Sequence, residues 1–478
     1  MPKDDIPPIE EMFNRPQSSK HSKDRVAYCF NHDAGNFHYG QGHPMKPPRL
    51  TLTHNLVMNY GLYKHMDVFH TRRAFDEEIA NFHTQDYIEF LKRISPNNVT
   101  NFEKFLSRYN LGIDDCPVFE GIYDFCRLSC GGSLEAARKL TSGQTNLAIN
   151  WSGGLHHARK SEASGFCYTN DIVLAALELL RYFPRVLYVD IDVHHGDGVQ
   201  EAFYASNRVL SVSFHKYDGT FFPGTGSLDE IGTHLGKYYS LNVPLLDYID
   251  DNSYAYIFKH VMSMVIETFR PGAIIMQCGT DSLAQDKLGT FNISVHGHGE
   301  CVRFLKSFNI PLMTVGGGGY TIRNVSRCWT YETSIMANTP VPDVLPENEY
   351  MEYFGPDYRL NPPIVDSHVE NANSREYLDQ LRIQIAEILR YMETAPSVQM
   401  QELPPDLQGF MENGGNWKVD ENEDNIENDV LSYKERESPI YYKRRDKELT
   451  EAHINELYDD SNDQDHDGNT DDELEIEV

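Results

Sequence analysis

The chain has no apolar run near the roughly 18 residues that a membrane-spanning helix needs. Its first 25 residues carry Pro7, Pro8 and several charges but no apolar stretch of the kind that opens a secretory signal. These two absences predict no membrane association and a polar N-terminal extension over 1–25. Cysteine is sparse and scattered: Cys29, Cys116, Cys126, Cys130, Cys167, Cys278, Cys301 and Cys328 form no Cys-x-x-Cys pair. That pattern excludes a cysteine-built structural zinc site and favours free thiols in a reducing compartment. The glycine runs lack the Gly-Lys-Ser/Thr ending of a phosphate-binding loop, which excludes a nucleotide hydrolase of that type. Basic residues are also in deficit, 42 against 72 acidic ones, for a net charge of −30. Residues 401–478 hold 25 acids against 7 bases, a net of −18, so the other 400 residues carry only −12. Such a chain is a poor direct DNA binder, because phosphate affinity needs Lys and Arg. It suits a cationic partner instead.

What is present falls into three regions. After the extension, residues 26–395 alternate apolar segments with short polar turns. The remainder, 396–478, is an acidic tail whose low apolar content cannot offset its ordering entropy, so it reads as largely disordered. Within that tail, Lys443-Arg444-Arg445 is a short basic cluster of the nuclear-localisation kind and Ser438-Pro439 a candidate phosphorylation site. In the body, Leu147–Ile149, Val186–Val189, Val209–Val212, Ala273–Met276 and Leu312–Val315 read as fully buried strands. Helical spacing of apolar residues over Asp171–Phe183 and Tyr256–Phe269 separates some of them. Asn170 or Asp171 serves as the cap of the first. Strands without alternation, separated by helices, predict an α/β fold with a parallel sheet covered on both faces.

Each strand runs into a polar or glycine-rich cluster: Trp151–His157, Asp190–Gly198, Ser213–Lys216, Gln277–Ser282 and Gly316–Tyr320. In open parallel sheets the ligand crevice lies beyond the carboxyl ends of the strands, so these clusters are expected to converge. In extended chain, Asp190, Asp192 and His194 project on one face. Asp192 and His194 with Asp281 make an Asp₂His set, and three protein ligands with an open position is the arrangement of a catalytic zinc site. Iron(II), cobalt and manganese stay open as alternatives. His156 and His157 supply bases for a metal-activated water. Asp190 and Asp197 are left to orient them. Tyr320, after four glycines, places a phenol where it can stabilise an oxyanion. Phe166 and Phe222 suit the walls of a narrow apolar channel. A Cys167 nucleophile beside the histidines is the second-best reading of the same cluster.

The segments Gly153-Gly154-Leu155-His156-His157-Ala158, Glu162–Tyr168, Asp190–Gly198, Phe222-Pro223-Gly224-Thr225-Gly226 and Gly316–Tyr320 closely resemble class I histone deacetylases, over about Val26 to Gln401. The acidic ending is most like the corepressor-associated type 3 branch. The resemblance implies the arginase/deacetylase fold, an open eight-stranded parallel sheet between helices, and zinc-dependent hydrolysis of N6-acetyl-lysine in histone tails. It implies one zinc on Asp192, His194 and Asp281. It pairs His156 with Asp190 and His157 with Asp197, His157 being the stronger candidate for general base, and gives Tyr320 the acetyl carbonyl. It lines the acetyl-lysine tunnel with Gly154, Phe166, Phe222 and Leu288, and puts Asp115 at the rim to grip substrate backbone.

A structural potassium is implied at Asp190, Asp192, His194, Ser213 and Phe214, and a second near Phe203, Ser206, Val209 and Tyr239. An inositol polyphosphate, which joins family members to a corepressor scaffold, is implied at His38, Gly42, Lys46, Lys287 and Arg323. Lys287 stands where vertebrate relatives have Arg; it keeps the charge and loses the bidentate fork. The implied setting is a corepressor component in the nucleus, with a cytoplasmic share also open. Two other readings compete. A binuclear manganese ureohydrolase on the same fold needs further metal ligands where Phe and Gly stand. A scaffold without turnover needs a conformational block, since no catalytic residue is missing.

Overall fold

The computed structural model describes residues 25–112 and 115–392. The expected extension, the disordered tail, the basic cluster and the Ser-Pro site therefore lie outside the described residues, apart from Arg25. Eight strands form one sheet: β1 (Val26–Phe30), β2 (Met66–His70), β3 (Leu147–Asn150), β4 (Val186–Asp190), β5 (Val209–Lys216), β6 (Ser240–Leu245), β7 (Ala273–Gln277) and β8 (Leu312–Val315). All pairings are parallel, in the order β2-β1-β3-β8-β7-β4-β5-β6. The expected eight-stranded parallel architecture is what the chain adopts.

The apolar runs are continuous because both faces are covered. Successive residues of a strand point to opposite faces. Leu187, Val189, Ile274 and Met276 join one core, under α6 (Asp251–Phe269), α7 (Val295–Lys306) and α9 (Arg375–Arg390). Val186, Tyr188, Ala273 and Ile275 join the opposite core, under α3 (Ile122–Thr141) and α4 (Asp171–Leu179). Full burial of each such Val, Leu or Ile contributes about 1.5–3 kcal/mol, so a slip of one residue in any central strand would forfeit much of both cores. The remaining helices used below are α1 (Pro48–Asn59), α2 (Gln85–Arg93), α5 (Asp197–Phe203) and α8 (Ile322–Met336).

Element ends differ from the apolar patterns where capping decides. Helix α4 stops at Leu179 rather than Phe183, and Asn170 is its cap, accepting the Val173 N–H at 3.0 Å. Helix α6 begins at Asp251, before the apolar pattern at Tyr256, because Asp250 accepts the Ser253 N–H at 2.8 Å. Strand β5 runs on through Ser213–Lys216, beyond the apolar run Val209–Val212. Pairing with β6 from Ser211–Ser240 to Lys216–Leu245 keeps those residues extended.

Register places the site. Asn150 lies beside Val315, Val315 beside Gln277, Gln277 beside Asp190 and Asp190 beside Ser213. Four adjacent strands, β3, β8, β7 and β4, thus end on one level. The segments that leave them share one crevice mouth.

Candidate active site

Asp192, His194 and Asp281 meet in that mouth. All three are buried, and one ligand-type atom from each lies within 4.8 Å of the others. His194 Nδ1 is 3.1 Å from Asp192 Oδ1 and 3.0 Å from Asp281 Oδ2. The route to this convergence differs from the expected one. Strand β4 ends at Asp190, so Asp192 and His194 do not sit on one extended face. Instead, Asp190 Oδ1 accepts the Asp192 N–H and Asp192 Oδ1 accepts the His194 N–H, both at 3.0 Å. These carboxylate-to-backbone bonds accompany a bend of the chain at Asp192–His194. Burial and the Asp192 charge push the Asp281 carboxyl above its ordinary range. For His194, burial is outweighed by the two carboxylates, which push the ring up to about 10.

Two carboxylates forced together in the dark with one imidazole are a donor set that suits a divalent cation. Glycine backbone packs closely against the two carboxylates. A Cβ on Gly318 would stand 2.0 Å from Asp281 Oδ2, and one on Gly279 would stand 2.0 Å from Asp192 Oδ2.

The two histidines sit beside this group. His156 Nδ1 is 2.7 Å from Asp190 Oδ2, and His157 Nδ1 is 2.7 Å from Asp197 Oδ1. Asp190 Oδ2 also takes the Tyr188 hydroxyl at 2.5 Å. The rings lie 3.9 Å apart, centroid to centroid, and their proton affinities diverge. Burial opposes charge on His156, but Asp190 and Asp192 outweigh it and push the ring up to about 9. Burial and the neighbouring His156 push His157 down to about 4. A pair of titratable groups driven apart in this way separates a proton donor from a proton acceptor. Cys167 is buried and burial pushes its thiol up, which disfavours the thiolate that a nucleophile needs.

Tyr320 closes the glycine run. Its ring is buried and meets Phe166 edge-on at 5.7 Å. Phe166 holds a left-handed φ of +64° and is retained there by Tyr39, whose hydroxyl donates to the Phe166 carbonyl at 3.0 Å. Phe222, 41% exposed, meets His157 edge-on at 5.0 Å. Leu288 packs in the cluster that contains Phe166 and Tyr320. Gly154 has φ +95°, and a Cβ there would stand 2.3–2.5 Å from the Gly316–Gly317 backbone. Asp115 Oδ2 accepts the N–H of Gly165, next to Phe166, at 2.9 Å.

Ser213 and Phe214 lie in β5, with Ser213 level with Asp190. Phe203 closes α5, the Ser206 N–H bonds its carbonyl at 2.8 Å, Val209 opens β5, and the Ser211 N–H bonds the Tyr239 carbonyl at 3.2 Å. His38, Gly42 and Lys46 occupy the segment before α1. Lys287 follows Asp286, whose Oδ2 accepts the Thr321 N–H at 3.1 Å, and Arg323 comes two residues after Thr321.

Several residues at the site were not singled out from the sequence. Gln277 Nε2 donates to Asp192 Oδ2 at 2.8 Å. Phe221 stacks on His194 at 5.2 Å. Asp171, considered only as a cap, accepts the N–H groups of Gly154 and Leu155. Arg49 forks onto the carbonyls of Gly319 and Gly317 at 2.7 and 2.6 Å. Gln277 was the findable one, as the single polar residue in the strand Ala273–Gln277.

Known proteins share this arrangement of sequence. A family profile described as the histone deacetylase domain matches residues 43–336. Histone deacetylase 1 of Bos taurus is 56% identical over 385 residues, covering 80% of this chain and 79% of that protein. Histone deacetylase 1 of Homo sapiens is 56% identical over 382 residues, covering 80% and 78%. Histone deacetylase 9 of Arabidopsis thaliana is 54% identical over 386 residues, covering 81% and 90%. The matched span takes in every strand end that feeds the crevice, and on that ground the chain belongs to the class I histone deacetylase family.

Proposed function

We propose that this histone deacetylase hydrolyses N6-acetyl-lysine in histone tails with one zinc ion held by Asp192, His194 and Asp281. The observation that carries the proposal is the meeting of that buried group with two separate His–Asp pairs and one tyrosine in a single crevice. Bound zinc would supply Lewis acidity toward the amide carbonyl and would acidify a water.

The chain's own groups do the rest. His157, neutral, takes a proton from the attacking water at Nε2, while Asp197 fixes its Nδ1–H. The Tyr320 hydroxyl donates to the carbonyl oxygen as that atom becomes an oxyanion. His156, whose charged form Asp190 and Asp192 stabilise, is suited to give its proton to the departing lysine amine. Phe166, Phe222, Leu288 and Gly154 flank the methylenes of the lysine, and Asp115 holds substrate backbone at the rim. Potassium at the two sets named above and inositol polyphosphate at His38, Gly42, Lys46, Lys287 and Arg323 belong to the same proposal. So do a corepressor scaffold as partner and the nucleus as the place of action. Among the described residues no helix is long and apolar enough to cross a membrane.

The test is hydrolysis of an acetyl-lysine peptide after chelation, followed by stepwise addition of zinc or iron(II). Activity lost on chelation and restored at one equivalent of zinc is expected. Full activity in the chelated protein would refute the metal-dependent reading, and restoration by iron(II) alone would replace zinc in it.

A further inference from the structure

Outside the site, one buried charged pair has no part in the chemistry above. His298, in the first turn of α7, and Glu332, in α8, are both buried, with His298 Nδ1 2.6 Å from Glu332 Oε1. The other ring nitrogen, His298 Nε2, is 3.0 Å from the carbonyl oxygen of Gly279. Only a donor fits that contact, so Nε2 carries hydrogen. The preceding carbonyl is held in the same manner: Trp329 Nε1 donates to Cys278 O at 2.8 Å. Two consecutive carbonyls leaving β7 are thus gripped by rings from α7 and α8. The Thr280 N–H bonds Gly318 O at 3.0 Å, and Asp281 Oδ1 accepts the Val193 N–H at 3.0 Å. Gly279 abuts Asp192 so closely that even a Cβ would collide with the carboxylate.

We propose that His298 and Glu332 are positioning residues for the metal group: Glu332 orients the imidazole, the imidazole fixes the Gly279 carbonyl, and this sets the short turn that presents Asp281. The inference rests on the reading of Asp192, His194 and Asp281 as metal ligands.

Stability alone does not call for such a pair. A buried ion pair of good geometry is commonly replaceable by apolar residues of similar volume at no cost to folding. What an apolar pair cannot supply is a charge-assisted donor aimed at a backbone carbonyl two residues before a ligand. Such a bond is roughly twice as strong as a neutral one. The proton that the bond needs is retained: although burial opposes charge on His298, Cys328 and Glu332 hold the ring well above its usual range. His298, Cys328 and Glu332 also lie close enough to act as metal ligands themselves. The 2.6 Å His–Glu contact and the engaged Nε2 favour a proton over a metal between them.

The test compares wild type with His298→Leu, His298→Gln and Glu332→Gln. Zinc affinity is read by competition with a chromophoric chelator, and melting temperature is read with and without zinc. His298→Leu removes the donor and is expected to weaken zinc binding roughly 10- to 100-fold, the range seen when groups that orient metal ligands are lost. His298→Gln places an amide N–H near the position of Nε2 and should recover to within about threefold of wild type. Glu332→Gln keeps the ring and should weaken zinc about tenfold. It serves as the comparison if the leucine variant does not fold. Wild-type zinc affinity in either His298→Leu or Glu332→Gln would reduce the pair to a packing role and overturn the inference. A second tightly bound zinc in wild type that is absent from Glu332→Gln would overturn it too, by making the pair a ligand set. A wild-type chain that takes up no zinc would bring down the ligand reading itself, and this inference with it.

Discussion

Asp286 Oδ2 accepts the backbone N–H of Tyr320 at 2.7 Å. The same oxygen takes the Thr321 N–H at 3.1 Å, and Oδ1 takes the Leu288 N–H at 3.0 Å. One carboxylate therefore ties Leu288 to the segment that carries the phenol and starts α8. Asp286→Ala leaves three N–H groups without this acceptor. The expected result is a kcat about tenfold lower with a smaller change in KM, because misplacing a group by even an ångström costs rate steeply. Unfolding free energy should fall by about 1–3 kcal/mol. Asp286→Asn, which keeps one acceptor oxygen, should lie between the two. Steady-state kinetics on an acetyl-lysine peptide with parallel melts check this, and a kcat within twofold of wild type would show that helix packing alone seats Tyr320.

Tyr320 itself is expected to act through its hydroxyl. Tyr320→Phe keeps the ring against Phe166 and removes only the hydroxyl proposed to donate to the developing oxyanion. Loss of one such donor costs roughly 100- to 1,000-fold in kcat. The melting temperature should hardly move. Retention of full turnover would mean that another group carries that charge.

The ends of strands were legible because a parallel sheet puts them on one level, so that Trp151–His157, Asp190–Gly198, Gln277–Ser282 and Gly316–Tyr320 had to meet. The internal geometry of Asp190–His194 was not. Alternation in extended chain suggested a shared face, whereas the carboxylates of Asp190 and Asp192 capture backbone N–H groups and end the strand. The supporting residues were hidden for a different reason. Arg49 serves carbonyls 268 and 270 positions away, and Gln277 serves a carboxylate 85 positions away. In its own neighbourhood each is an unremarked polar residue in a helix or strand. His298 and Glu332 look like parts of two amphipathic helices until the helices are packed together. A motif at a strand end draws the eye to candidate ligands such as Asp192, His194 and Asp281; nothing comparable marks the distant helix and strand residues that hold those segments in place.

Gly318 offers a steric test of the proposed metal group. Gly318→Ala would put a Cβ 2.0 Å from Asp281 Oδ2 and 2.9 Å from Asp192 Oδ2. Neither carboxylate can retreat, since Asp281 Oδ1 is bound by the Val193 N–H and Asp192 Oδ2 by Gln277. Zinc affinity should fall by roughly tenfold or more and deacetylation should fall with it, while the circular dichroism of the folded chain is kept. Gly143→Ala is the control. It has φ +66° and open space around it, and so should cost about 1 kcal/mol of stability from backbone strain and leave activity unchanged. Equal zinc affinity in Gly318→Ala and wild type would place the metal elsewhere.

Acid sensitivity should trace to histidines buried without charge. His54 packs edge-on against Phe30 at 4.2 Å and takes the Tyr28 hydroxyl on Nδ1 at 2.7 Å. Burial pushes its ring down from 6.5 to about 3. Burial likewise pushes His83 down to about 4. Below pH 6.5 the unfolded chain binds a proton that the folded chain refuses at each position. The stability each ring contributes is therefore full above pH 6.5 and is lost as the pH falls toward the folded value, at up to about 1.4 kcal/mol per pH unit. His54→Asn keeps an acceptor for Tyr28 but does not titrate. It should be less stable than wild type at pH 7, having lost its ring packing, yet its unfolding free energy should fall less steeply between pH 6 and pH 4, by about one proton. Urea unfolding at stepped pH measures both slopes. Parallel slopes would show that His54 takes up its proton in the folded state.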